Sequence, residues 1–208
     1  IPTLCSDDFI LVEKKHKKII KGGIYVFKSS FIITNNTSDE SVTKKLYIKR
    51  LVASPGDTIY ISNKSINLDF IKRHQITEKY SQVKINDLKL NNINQIKKSY
   101  RFYNNLPTYL VPFYMPKKGV SMYLHDHLSL YEDLNLKETK KSDRTKKKEY
   151  TANDNYYFAL GDNKNWSIDS RHFGPAPEEC IIGRATYIIF SWSKYKPYSI
   201  TRILKKLP

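Results

Sequence analysis

Apolar and polar positions alternate along DFILVEK at 8–14, and again along GGIYVFK at 22–28. A period of two is the signature of half-buried strands. The basic stretch KKHKKIIK at 14–21 separates the two runs and reads as the solvated connection of a hairpin. A third run, LYIKRLVAS at 46–54, meets Pro55-Gly56-Asp57 and resumes as TIYIS, so strand, turn and strand follow in order. The pattern returns at NYYFAL, 155–160, and at CIIGRATYIIFSW, 180–192. Nowhere do apolar residues sustain the i, i+3, i+4, i+7 spacing of an amphipathic helix.

From about 62 to 150 the composition shifts to Asn, Lys, Tyr and short broken apolar runs, ending in the charge run KETKKSDRTKKKEY at 137–150. The chain therefore reads as an all-β core unit, 1–61 plus 151–208, carrying an inserted β-rich subdomain, 62–150, with a mobile, solvated basic segment near 137–150. Sixteen tyrosines and nine phenylalanines, many beside Ile and Val, strengthen the strand reading. No internal repeat is visible.

Charge adds less. Thirty-six basic against 20 acidic side chains leave a net +16, which suits an anionic membrane surface, nucleic acid, or solubility alone. Arg, the better partner for bidentate phosphate contact, is scarce, and this counts against nucleic acid. Cys5 and Cys180 follow no metal-ligand spacing, and one pair defines no disulfide framework. No apolar run is long enough to span a bilayer. The sequence opens on Ile1-Pro2 without Met, which points to a piece of a longer protein.

The densest polar cluster is GDNKNWSIDSR at 161–171, between the last two apolar runs. Extended to residue 185, the stretch GDNKNWSIDSRHFGPAPEECIIGRA resembles the carboxyl-side signature of type I signal peptidases. YIKRLVASPGD at 47–57 resembles their lysine-bearing box, IPTLCSDDFILVEK at 1–14 the segment just after their nucleophile, and KGGIYVFK at 21–28 the short box between. The resemblance covers four boxes in the family's order, over roughly half the chain. It implies a twisted antiparallel catalytic sheet, and a Ser/Lys endopeptidase that removes signal peptides from translocated preproteins at the extracytoplasmic face of the bacterial cytoplasmic membrane. Its implied partners are signal peptides and the lipid surface, not nucleic acid, and it needs no metal or organic cofactor.

Chemistry singles out Lys49. Lysine is a poor base near neutrality because its ordinary pKa is about 10.4. Burial disfavours the ammonium form, and a pKa of about 7.5 corresponds to roughly 4 kcal/mol of differential destabilisation. In a strand, Tyr47, Lys49 and Leu51 share one face, so Lys49 has bulky neighbours on both sides. A neutral amine there can take the proton of a serine hydroxyl. The resemblance implies that Ser167 hydrogen-bonds and orients the amine, and a hydroxyl does so without adding charge. Nearby carboxylates would raise the lysine pKa, so Asp162 and Asp169 need cationic partners, and Arg50 and Arg171 are the candidates. Leu4, Tyr47 and Ile48 match positions that line the family's pockets for small side chains.

The family's first box reads Ser-Met-x-Pro-Thr-Leu, and the sequence begins at the x. The nucleophile, the oxyanion-hole donors and the membrane segment are thus expected upstream of Ile1, leaving the fragment inactive alone. Ser121-Met122 repeats the dipeptide, but Tyr-Leu-His follows it. Lys164-Asn165-Trp166 stands where the family has Arg-Asp-Asn, Gly23 where it commonly has Asp, and Ala53-Ser54 where it has Gly-Leu. These departures bear on loop geometry and substrate preference. His125-Asp126-His127 offers two imidazoles and no third ligand, and reads as solvated surface. The aromatic residues near 187–198, mixed with Lys194 and Lys196, suit a membrane interface. Two other functions compete: a self-cleaving protease of the SOS repressor type, and a non-catalytic membrane-surface module derived from the same fold.

Overall fold

The computed structural model describes residues 3–5, 7–14, 18–32, 45–62, 81–82, 100–109, 111–124, 128–141, 148–163, 166–191 and 202–208. His125, Asp126 and His127 lie outside the described residues, as does the stretch from 192 to 201.

The chain is all-β, built mainly from antiparallel sheets. The largest sheet contains β1 (Asp8–Glu13), β2 (Ile24–Lys28), β3 (Leu46–Ala53), β10 (Tyr156–Leu160), β11 (Ala176–Pro177), β12 (Ile181–Ser191) and β13 (Lys205–Lys206). Its order is β1-β12-β2-β3-β10-β11, with β13 also pairing β12. The hairpin expected from 8–28 does not form, because β12 lies between β1 and β2 and pairs with both. Such an 11-residue strand offers two long edges. Two register shifts along its pairing with β1 let it bend without losing the ladder.

The strand, turn, strand reading of 46–62 holds, but the second strand joins another sheet. After Pro55-Gly56, β4 (Thr58–Ile61) pairs antiparallel with β6 (Val111–Tyr114) and parallel with the two-residue β5 (Ser81–Gln82). The corner is locked from both sides. Asp57 Oδ2 accepts the Ser54 amide at 2.9 Å, while Gly56 donates to the Met115 carbonyl and Met115 to that of Asp57. A third sheet contains β7 (Ser121–Leu124), β9 (Lys148–Ala152) and β8 (Leu136–Lys141) in that order. The two ends of the basic run at 137–150 therefore pair as a hairpin.

The main core joins the second and third sheets to the large sheet. Ala53 and Phe158 from β3 and β10 pack with Ile59, Ile61, Phe102, Phe113, Met115 and Leu130. Phe102 begins the bridge: it sits on the short α1 (Arg101–Asn104), edge-on to Phe113 with ring centroids 5.7 Å apart and 6.4 Å from Phe158. Burying one such aromatic contributes on the order of 2–3 kcal/mol. The bridge fixes α1 against a second short helix, α2 (Ser170–Phe173), which comes directly after the polar cluster. Among the described residues, no helix is long and apolar enough to cross a membrane.

Candidate active site

One cleft, about 240 Å³ in volume, is lined by Leu4, by Ile24 of β2, by Ile48, Lys49 and Arg50 of β3, and by Gly161, Asp162, Asn163, Trp166 and Ser167. Antiparallel pairing of β2 with β3 sets Tyr25 opposite Lys49 and Ile24 opposite Arg50. Lys49 thus enters from a strand interior, where the ladder fixes its direction. On its own face, Tyr47 and Leu51 join one buried cluster with Tyr25, Phe27 and Tyr157. The Tyr47 ring lies under the amine, with Nζ 5.5 Å from the ring centroid.

Burial holds the Lys49 amine below the ordinary lysine range. The Asp169 carboxylate pulls it back up, and the Arg171 guanidinium pushes it down again. Desolvation is the largest of the three influences and decides the direction.

Ser167 faces the same cleft and is 8% exposed, yet its Oγ has no hydrogen-bond partner among the described residues. A buried hydroxyl without a partner costs about 1–3 kcal/mol, so its presence asks for something to bind. The chain turns tightly here: Trp166, which is 66% exposed and lines the cleft, donates its amide to the Asn163 carbonyl at 3.1 Å. Gly161 supplies the space into which the Ser167 side chain fits.

Two arginine–carboxylate pairs frame these residues. Arg50 grips Asp162 bidentately, Nε to Oδ1 at 2.8 Å and Nη2 to Oδ2 at 2.7 Å, and reaches the Gly22 carbonyl and Thr3 Oγ1 with its remaining donors. These bonds hold the Asp162 carboxyl below its usual range and tie residues 3–4 to the cleft wall. The second pair is buried: Arg171 donates from Nε and Nη2 to the two oxygens of Asp169, both at 2.8 Å, with Arg171 2% and Asp169 0% exposed. Burial resists ionisation of Asp169, but the paired Arg171 guanidinium overcomes it and keeps the carboxyl well below the usual carboxylate range. Asp169 also accepts the Gly161 amide at 2.9 Å and caps α2, while Ser170 Oγ accepts the Ala159 amide.

The fold thus gathers Lys49, Arg50, Ile48, Leu4, Asp162 and Ser167 around one cleft, with Asp169 and Arg171 directly behind it. Tyr47 does not line the cleft. It packs under Lys49 and against Phe173, ring centroids 5.8 Å apart. Ser121 lies in the third sheet, bonded to Thr151 Oγ1. Cys5 and Cys180 are both unpaired thiols. Sequence reasoning missed Ile24, whose place opposite Arg50 follows only from the β2–β3 register, and the structural work of Gly161 and His172.

Comparison with known proteins agrees with the motif resemblance. Residues 1–192 match the family model described as signal peptidase, peptidase S26. The chain is similar to signal peptidase I of Buchnera aphidicola subsp. Baizongia pistaciae, 26% identical over 90% of this chain and 66% of that protein. It is 30% identical to the signal peptidase I of Buchnera aphidicola subsp. Acyrthosiphon pisum, over 93% of this chain and 66% of the relative. The signal peptidase I of Pseudomonas fluorescens is 26% identical over 94% of the chain and 63% of its own length. The chain thus spans just under two-thirds of the length of these relatives.

Proposed function

The chain belongs to the signal peptidase, peptidase S26 family, and on that premise we propose that it is the processing domain of a type I signal peptidase, cleaving signal peptides from preproteins by Ser/Lys acyl transfer on the extracytoplasmic face of the bacterial cytoplasmic membrane. The observation that carries this reading is a half-buried lysine, held below its ordinary pKa, sharing a cleft with a buried hydroxyl that has no partner among the described residues.

In this mechanism the nucleophile is a serine two residues before Ile1, as the first-box pattern implies. Neutral Lys49 Nζ takes the serine proton as Oγ bonds to the scissile carbonyl carbon. The tetrahedral intermediate collapses, the C–N bond breaks, and the Lys49 ammonium returns the proton to the departing amine, which becomes the new amino terminus. Water then attacks the acyl-enzyme with Lys49 again as base, releasing the signal peptide's carboxylate and restoring the serine hydroxyl. Ser167 accepts one Lys49 N–H and keeps the lone pair on the nucleophile. Arg50 and Arg171 neutralise Asp162 and Asp169, so that neither carboxylate holds the lysine protonated. Leu4, Ile24 and Ile48 form an apolar wall for small substrate side chains, with the membrane lipid surface alongside.

Two measurements test the proposal. The codons preceding Ile1 should encode Ser-Met, and the full-length protein should release a signal peptide from a preprotein at a single bond. A different dipeptide, with no cleavage by the full-length protein, would leave a non-catalytic module of the same fold.

A further inference from the structure

His172 is 1% exposed, and the Ser/Lys chemistry makes no direct use of it. It occupies the third position of α2, and its Nδ1 accepts the backbone amide of Asp169 at 3.1 Å. Glu or Gln usually makes this reciprocal bond of a capping box. An imidazole that accepts at Nδ1 carries its proton on Nε2, so Nδ1 stands 3.7 Å from Asp169 Oδ1 as a neighbour and not as a donor.

The ring is fixed from the inserted segment. Tyr103 stacks on it with centroids 5.9 Å apart and planes at 17°, and Tyr100 meets its edge at 6.2 Å. Tyr100 in turn hydrogen-bonds the hydroxyl of Tyr47, whose ring lies under Lys49. The far end of α2 is pinned by the same segment: Gly174, at φ +84°, lies so close to Phe102 that a Cβ would come within 2.9 Å of its ring. A continuous chain of contacts results, from Tyr103 to the His172 ring, to the Asp169 amide, to the Asp169 carboxylate, and to the Gly161 amide beside Ser167.

We propose that His172 and Tyr103 are positioning residues, through which the inserted segment sets the placement of Asp169 and Gly161 and thereby of the Ser167 hydroxyl. The catalytic half of this inference rests on the Ser/Lys reading; the structural half does not. Misplacing a catalytic group by a fraction of an ångström slows the chemical step far more than it weakens binding.

The test uses the full-length protein and a peptide spanning a signal-peptide junction. His172→Phe keeps an aromatic ring and removes the acceptor. It should lower kcat by about ten- to a hundredfold with KM changed by less than about twofold, and should speed hydrogen exchange at the Asp169 and Gly161 amides. His172→Gln restores an acceptor at this capping position and should recover most of both losses. Tyr103→Ala should lower kcat in the same sense, and Tyr103→Phe should not. Unchanged kcat and exchange in His172→Phe, or a Gln variant no better than the Phe variant, would overturn the proposal. In the unsubstituted protein, imidazole ¹⁵N shifts should show Nδ1 without a proton, and a proton on Nδ1 would overturn it whether or not any variant folds. Should the unsubstituted protein cleave nothing, the protease reading falls, while exchange and tautomer still decide the structural link.

Discussion

A Cβ on Gly161 would stand 2.0 Å from Ser167 Oγ and 2.4 Å from Ser167 Cβ, so Ser167 holds its place in the cleft only because residue 161 has no side chain. Gly161→Ala must therefore displace Ser167 or the strand end. An overpacked site of this kind costs about 1–3 kcal/mol, measurable by denaturant unfolding, and the proposed reaction should slow by roughly a hundredfold through lost alignment. Ser167→Ala supplies the contrast. It deletes a hydroxyl that has no partner among the described residues, so stability should stay level or rise slightly while kcat falls. Wild-type turnover by either variant would remove Ser167 from the site.

The sequence made the strands visible but not their neighbours. Runs at 8–13, 24–28, 46–53, 156–160 and 181–191 all alternate or carry continuous apolar residues, and all became strands of one sheet. Alternation says which face is buried and nothing about which edge pairs with which. Chain order therefore suggested a hairpin of the first two strands, where β12 intervenes. The site divides in the same way. The crowding of Asp, Ser and Arg in 161–171 is legible because such density is rare along this chain. The dependence of Ser167 on a bare Gly161 is not legible, since it exists only once the folded chain brings the serine against residue 161. Nor can His172 be distinguished in sequence from a surface histidine, because the tyrosines that enclose it arrive from a segment about 70 residues earlier.

Lys49 ties activity and stability to pH in the same direction. Its amine is held below the ordinary lysine range by burial, so the neutral form exists at lower pH than for a solvated lysine. Cleavage should rise with pH as the amine deprotonates, and Lys49→Met should abolish it. For stability, the folded state binds fewer protons at this site than the unfolded state between the two pKa values, so stability climbs with pH there. The cost of Lys49 is complete below its folded pKa and gone above its unfolded one. Lys49→Met should accordingly be more stable than wild type near neutrality, with the gap closing toward alkaline pH. A pH-independent gap would mean an amine that ionises like a free one.

The two arginine–carboxylate pairs should differ in what their loss costs. Asp169→Ala removes the carboxylate that holds the buried Arg171 guanidinium, 2% exposed, and breaking such a pair costs about 3–5 kcal/mol. Asp162→Ala exposes a guanidinium already about a quarter open to solvent, where pairs contribute at most about 1 kcal/mol. Both carboxyls are depressed in the folded state, so each contributes stability above its unfolded pKa and loses it as pH falls through the folded one. Asp169, the more strongly depressed, should lose its share at the lower pH. Equal destabilisation by the two substitutions would contradict this ordering.

Trp166 offers the most direct probe of substrate contact. The residue is 66% exposed and lines the cleft together with Leu4, Ile24 and Ile48, and its amide bonds back to the Asn163 carbonyl. A peptide seated in the cleft would cover part of the indole ring. Covering about 60–100 Å² of apolar surface is worth roughly 1.5–2.5 kcal/mol. Such contact is the same before and within the transition state, so its removal should appear in KM and not in kcat. Trp166→Ala should raise KM by about ten- to sixtyfold while leaving kcat within about twofold. Binding of a product peptide to the unsubstituted protein should shift the Trp166 emission to the blue as the indole leaves water. An unchanged KM together with an unmoved emission maximum would take Trp166, the residue that departs most from the family pattern, out of the peptide's path.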